Sequence, residues 1–141
     1  MIPDLTSALR TYLLNQRALT ELTAERVIGG ELPQSVIAGM PQACVVLALA
    51  GGLGTYGNGG QAYGDRRVDV RAYGATLHDA QQVSDVVYEI LKFQLVRRVS
   101  EGCLIHWARQ GSGPQPLRDP ERDWPFVWSS WQVLASEVAV A

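Results

Sequence analysis

Leu5, Ala8, Leu9, Tyr12 and Leu13 recur at i, i+3, i+4, i+7 and i+8, the stripe of an amphipathic helix. Pro3 and Asp4 suit its first turn, and the pattern fades at Asn15–Gln16. A short helical turn is expected over Leu19–Ala24. Arg26-Val27-Ile28 then reads as a brief extended piece ending in the Gly29-Gly30 turn. Pro33 and Pro41 bracket a connecting loop. From Ala43 to Ala50 the chain is continuously apolar over strand length and rich in valine, which favours a buried strand.

Six glycines in the ten residues Gly51–Gly60 exclude a regular element, because each glycine has extra backbone entropy to lose. Val68, Val70 and Ala72 then alternate with Arg67, Asp69, Arg71 and Tyr73, the pattern of a strand with one wet face. Thr76-x-x-Asp79 opens a second helix as a capping-box variant. Ala80, Val83, Val87, Ile90 and Leu91 form its stripe, widened by Val86. Cys103–Arg109 reads as a further strand. Gly111–Pro116 reads as a Gly/Pro-rich loop that the charged stretch Leu117–Asp123 continues. Phe126–Val140 is long enough for one or two strands, with a bulge expected near Ser129-Ser130.

Strand pairs joined without a crossover helix favour an antiparallel sheet with helices on one face. The expected fold is therefore α+β: a mainly antiparallel sheet of about four to five strands, two main helices packed on one face, and a long Gly-rich hairpin loop. A minor strand near Val27 is an option. With 141 residues, no internal repeat and no linker, residues 1–141 read as a single domain.

Composition narrows the function classes. An apolar fraction of 47% with 18% charged residues is that of a folded chain. Twelve basic against fourteen acidic side chains leave a net charge of −2, so no global basic field recruits nucleic acid. Eleven of the twelve cations are arginines, which suit fixed ion pairs at interfaces. No apolar run approaches the ~18 residues of a membrane span. Cys44 and Cys103 lack metal-ligand spacing and sit in apolar runs, as two small buried thiols would. Met1-Ile2-Pro3-Asp4 has no basic start and no apolar h-region, so synthesis and folding in a reducing cytoplasm is the expectation.

Candidate chemistry is sparse. Gly52-x-Gly54-x-x-Gly57 fits the letter of a dinucleotide fingerprint, but the glycines must open a helix whose amides hold a pyrophosphate, and here a strand follows. A mobile hairpin loop is the competing reading. His78 falls in the first turn of a helix, solvated. His106 and Cys103 are three residues apart on a strand and so face opposite ways, which argues against a Cys–His pair. Asp85 and Glu89 read as a solvated helix face. No catalytic constellation, metal site or cofactor site is found. Trp124, Trp128 and Trp131 crowd into eight residues, either as core or as an interface anchor. On a regular strand Trp128 and Trp131 face opposite ways. Arg66-Arg67 reads as a small phosphate spot or as part of a wet face paired with Asp65 or Asp69. Two long loops without chemistry point to a subunit that interlocks with partners.

The layout resembles the phage tail-completion (tail-terminator) family of siphophage-like tails and gene transfer agents. The resemblance lies in the opening Leu5–Leu14 helix, the Leu19-Thr20-Glu21-Leu22 turn before Arg26-Val27-Ile28, and Pro33 and Pro41 before Cys44-Val45-Val46-Leu47. It continues through the Arg67–Tyr73 strand into the Ala80–Leu91 helix and weakens after about Gly111. It implies an α+β virion subunit forming a homo-oligomeric ring, commonly six-fold, between tail tube and head-side connector, with transient DNA passage through its lumen and no membrane. Loop length adds the expectation that Gly51–Tyr63 and Gly111–Asp123 are arms toward neighbours. The candidate contact residues are Thr55, Tyr56, Asn58, Gln61, Tyr63, Arg66, Arg67, Arg71, Arg118, Asp119, Arg122 and Trp124. A stopper or adaptor protein of the head–tail joint and a small nucleotide-binding module using Gly52–Gly57 are the alternatives.

Overall fold

The chain was analysed as a computed structural model, which describes residues 5–50 and 63–137. Helix α1 (Leu5–Leu14) buries the predicted stripe at Leu5, Ala8, Leu9 and Leu13. Helix α2 (Arg17–Thr23) ends where Ala24 turns left-handed at φ 49°, its N–H donating to the Thr20 carbonyl. Strand β1 (Val27–Gly29) follows, then a single helical turn, α3 (Gln34–Ile37), between the two prolines. Strands β2 (Cys44–Leu49) and β3 (Tyr63–Tyr73) lead into α4 (Leu77–Glu89), which a π-helical turn, Ile90–Gln94, prolongs. The chain closes with β4 (Arg98–Ser100), β5 (Cys103–Arg118) and β6 (Pro125–Glu137). The Thr76 hydroxyl caps α4 as expected, accepting from the Asp79 N–H at 3.2 Å.

Among the described residues the strands form one six-stranded sheet in the order β1-β2-β3-β6-β5-β4. The expected mainly antiparallel sheet is thus met in outline, with β1 as the optional strand near Val27, and the observed sheet differs in two respects. It has six strands instead of four to five, and β1 pairs parallel to β2 (Val27↔Val45), so the sheet is mixed. The other pairings are antiparallel. The two expected main helices are α1 and α4 and the expected turn over Leu19–Ala24 is α2; among the described residues α3 is an addition, and it lies apart from the others.

A larger correction concerns residues 111–118, expected as a loop. They continue β5, which stays paired to β6 out to Arg118↔Pro125. Proline is tolerated here because the outer edge of β5 has a strand partner only at Cys103–Ile105, so a missing N–H can face outward. The expected bulge also moves. Strand β6 runs in unbroken register against β3, from Tyr63↔Ser136 to Tyr73↔Phe126. The irregularities fall between Ile105 and Trp107, Gln110 and Ser112, and Ser112 and Gln115, each giving β5 one residue more than β6. Gly113 allows one of them: its φ of +85° lies in the left-handed region that favours glycine, and a Cβ there would stand 2.6 Å from the Trp128 carbonyl oxygen.

One face of the sheet carries the main core. Leu9, Leu13 and Leu19 from α1 and α2, and Val83, Val87 and Leu91 from α4 and its extension, pack on Val45, Leu47, Val68, Val70, Ile105, Trp131 and Val133. Trp131 is fully buried, its indole N–H donating to the Ser129 hydroxyl at 3.0 Å. A smaller cluster of Cys44, Val46, Tyr73 and Phe126 sits on the opposite face, under Leu32, Val36, Met40, Trp124 and Trp128. The three tryptophans therefore divide: Trp131 is core, while Trp124 and Trp128 lie half-buried over the second face. Both cysteines are free and buried.

Candidate protein interface

Helices α1, α2 and α4 cover one face of the sheet, and the segment around α3 covers only one end of the other. Among the described residues nothing covers the remainder of that second face, and the two-residue period of the strands decides what it presents. Arg67, Asp69 and Arg71 project there from β3, in register with Gln132, Ser130 and Trp128 of β6. Beyond β6, Arg109 is in register with Gln132 and Trp107 with Leu134. Arg67, Gln132 and Arg109 thus form one row across three strands.

The side chains of this face hold one another. The Arg67 Nε donates to the Ser130 hydroxyl at 2.7 Å and stands 3.8 Å from Asp69 Oδ1. That carboxylate oxygen is buried and has no hydrogen bond within the described residues. The Arg109 guanidinium lies 4.3 Å from the centre of the Trp107 ring, and that of Arg71 lies 5.7 Å from the Phe126 ring. His106 Nε2 and Ser136 Oγ are 3.0 Å apart. Mixed charge and flat aromatic surface together make this face suited to contact with a polar partner.

At one end of this face the β5–β6 turn is built around Asp119. Its Oδ1 accepts the Glu121 and Arg122 amides at 2.9 and 3.0 Å, and its backbone N–H donates to the Trp124 carbonyl at 2.9 Å. Those two amides, Arg122 first, hold the Asp119 carboxyl below the usual aspartate range. Arg118 Nη1 donates to the Asp123 carbonyl at 3.2 Å, and the Arg122 guanidinium stacks 4.9 Å from the Trp124 ring. Trp124 meets Tyr73 edge-on at 6.3 Å, and Tyr73 packs on Phe126 at 5.3 Å. Burial pushes the Tyr73 hydroxyl above its ordinary range, against a hydrogen bond from Arg71.

The sequence-derived contact residues therefore separate into groups. Arg71, Asp119, Arg122 and Trp124 come together at the turn, with Arg118 at its base. Arg67 stands further along the open face. Arg66, in register with Val133, belongs to the helix side and is separated from Arg67 by the sheet. Thr55, Tyr56, Asn58 and Gln61, with the whole Gly52–Gly57 motif, lie outside the described residues; Tyr63 is placed by its backbone alone, opposite Ser136. Trp107 and Arg109 were missed, and no sequence signal short of the β5–β6 register would have added them.

Reactive groups are muted. Burial pushes the Cys44 thiol up to about 11 in spite of Arg26, and raises that of Cys103. Among the described residues no group of three His, Cys, Asp or Glu could hold a metal ion, and no helix is long and apolar enough to cross a membrane.

In sequence the chain matches no family model and no curated protein. In structure it is similar to a chain of the virion of a native gene transfer agent particle, with a TM-score of 0.66 and 16% identity over 94% of each chain. At that identity the likeness establishes a shared fold, over nearly the full length of both.

Proposed function

We propose that this chain is a structural subunit of a phage-like virion that forms a ring, six-fold by the family resemblance, at the head-side end of the tail tube. The observation that carries the reading is the fold shared with a gene transfer agent virion chain across 94% of both. On this reading the protein works by geometry. One face of the ring matches the last tube ring and stops its growth, and the other docks the head-side connector. The role needs no catalysis and no cofactor.

The open sheet face and the β5–β6 turn supply the contacts. The turn is ordered before any partner arrives, by the Asp119 hydrogen bonds, so little entropy is lost when Trp124 and Arg122 are covered. Arg67, Asp69 and Arg71 alternate in sign along the open face. A lumen of this kind lets DNA slide, whereas a uniformly basic one would hold phosphate and arrest it. The Gly51–Tyr63 segment is the second arm.

The test is production of particles without this chain. Tubes that grow past their normal length, restored by supplying the protein, are the expected result. Tails of normal length that fail to join heads would move the protein to the stopper or adaptor position. Intact, head-bearing particles in its absence would overturn the virion reading.

A further inference from the structure

Three large apolar side chains near one edge of the sheet are exposed among the described residues. Phe93, at the end of the π-helical turn, is 67% exposed, Val96 45%, and Val99 on edge strand β4 60%. Exposed singly such residues are ordinary; three within seven positions, beside a sheet edge, mark a contact surface. Lys92, Arg97 and Arg98 surround them and are exposed. The neighbouring free edge of β5 is a poorer docking strand, since three bulges and Pro114 and Pro116 interrupt it.

At the opposite edge of the same sheet, beside β1, lies an open groove of about 440 Å³ between α1 and the segment after β1. Ile28, Gly29 and Pro33 give it apolar surface, and Glu31 is exposed at its rim, with Glu25 exposed at the turn before β1. Arg10, the cation of the groove, is turned inward, its Nε donating to the Val27 carbonyl at 2.8 Å. That bond also blunts the β1 edge, so the groove accepts side chains in place of a strand.

We infer that Phe93, Val96 and Val99 of one copy seat in the β1 groove of the next, with Lys92, Arg97 and Arg98 facing Glu31 and Glu25. The partner is a second copy of this chain because it carries both halves: apolar knobs ringed by cations at one sheet edge, and at the other a groove with apolar surface from Ile28, Gly29 and Pro33, polar surface from Thr6, Ser7 and Arg10, and Glu31 at its rim. Since β4 and β1 are the two ends of one sheet, the contact is head-to-tail and repeats until it closes. The inference rests on the ring reading and names its joint.

The experiment measures mass by light scattering over a concentration series for the full chain, Phe93→Glu, Glu31→Arg and a mixture of the two variants. The unaltered chain forms a closed oligomer, and each variant weakens association by about tenfold or more. The mixture gives heterodimers and nothing larger, because one intact knob and one intact groove remain between the two. Exposed positions were chosen so that unchanged circular dichroism certifies folding. Oligomers that ignore both substitutions, or a mixture that yields no heterodimer, overturn the joint while leaving the ring reading to the particle experiment. A chain that stays monomeric at every concentration overturns the joint as a self-association surface, and normal head-bearing particles without the protein overturn the ring reading itself.

Discussion

Replacing Gly74 with alanine tests the junction between β3 and α4. Gly74 is buried, and a Cβ at this position would stand 2.3 Å from the Ala80 nitrogen, 2.7 Å from the Asp79 carbonyl carbon and 2.9 Å from the Ala80 Cα. All three are backbone atoms of the first turn of α4, so no side chain can rotate away. The helix must shift instead, and it carries Val83 and Val87 into the core. Overpacking of this kind costs about 1–3 kcal/mol, and the backbone obstruction places Gly74→Ala at the upper end. The lower entropy of the unfolded alanine chain returns about 0.4–1 kcal/mol. A net loss of about 2 kcal/mol corresponds to a Tm drop of roughly 4–8 °C for a domain of this size. Thermal and urea unfolding would read it, the urea midpoint falling with the slope unchanged. Gly102→Ala is the control, since a Cβ there meets nothing within 4 Å and only its positive φ opposes the change. A Gly74→Ala protein melting within about 1 °C of the parent would refute the close approach of strand and helix.

Other outcomes follow from single interactions. Thr76→Ala removes the cap on the Asp79 N–H and should lower unfolding stability by about 1 kcal/mol, while Thr76→Ser retains most of it. The Asp119 carboxyl is held low by two amides, so its contribution is present above the unfolded-state pKa and lost as pH falls through the lower folded value. NMR titration of the Glu121 and Arg122 amide shifts should show a midpoint below the ordinary aspartate value, and an ordinary midpoint would count against the turn geometry. Cys44 and Cys103, buried with raised pKa values, should resist iodoacetamide at pH 8 in the folded protein and react promptly in urea, as mass spectrometry of the alkylated chain can establish.

How much of this was legible in the sequence depends on range. Helix α1, the Thr76 cap, and strands β2 and β3 are written in local periodicity and were recovered from it. Alternation likewise placed Trp128 and Trp131 on opposite faces. Strand β4, three residues long, carries too little pattern to announce itself. The parallel pairing of β1 with β2 is a tertiary choice that no local period encodes. Residues 111–118 misled because glycine and proline signal loops, yet an edge strand tolerates both. The open face was half legible. Arg67 and Arg71 share one strand and one period, but bulges in β5 shift the phase of Trp107 and Arg109, so only pairing with β6 reveals that they join them.

Strand β6 lies between β3 and β5 in the middle of the sheet, although it is the last of the strands in the chain. During synthesis β1–β3 and β4–β5 therefore emerge as two unjoined pieces, each with an open edge awaiting residues 125–137. Closure depends on contacts of long sequence separation, which fold slowly and leave strand edges bare in the meantime. The two sheet edges proposed to join neighbouring copies are held in fixed relation only after β6 inserts. Vectorial folding thus acts as a timing device: a nascent chain cannot offer both ends of the joint at their working separation until its own sheet is complete.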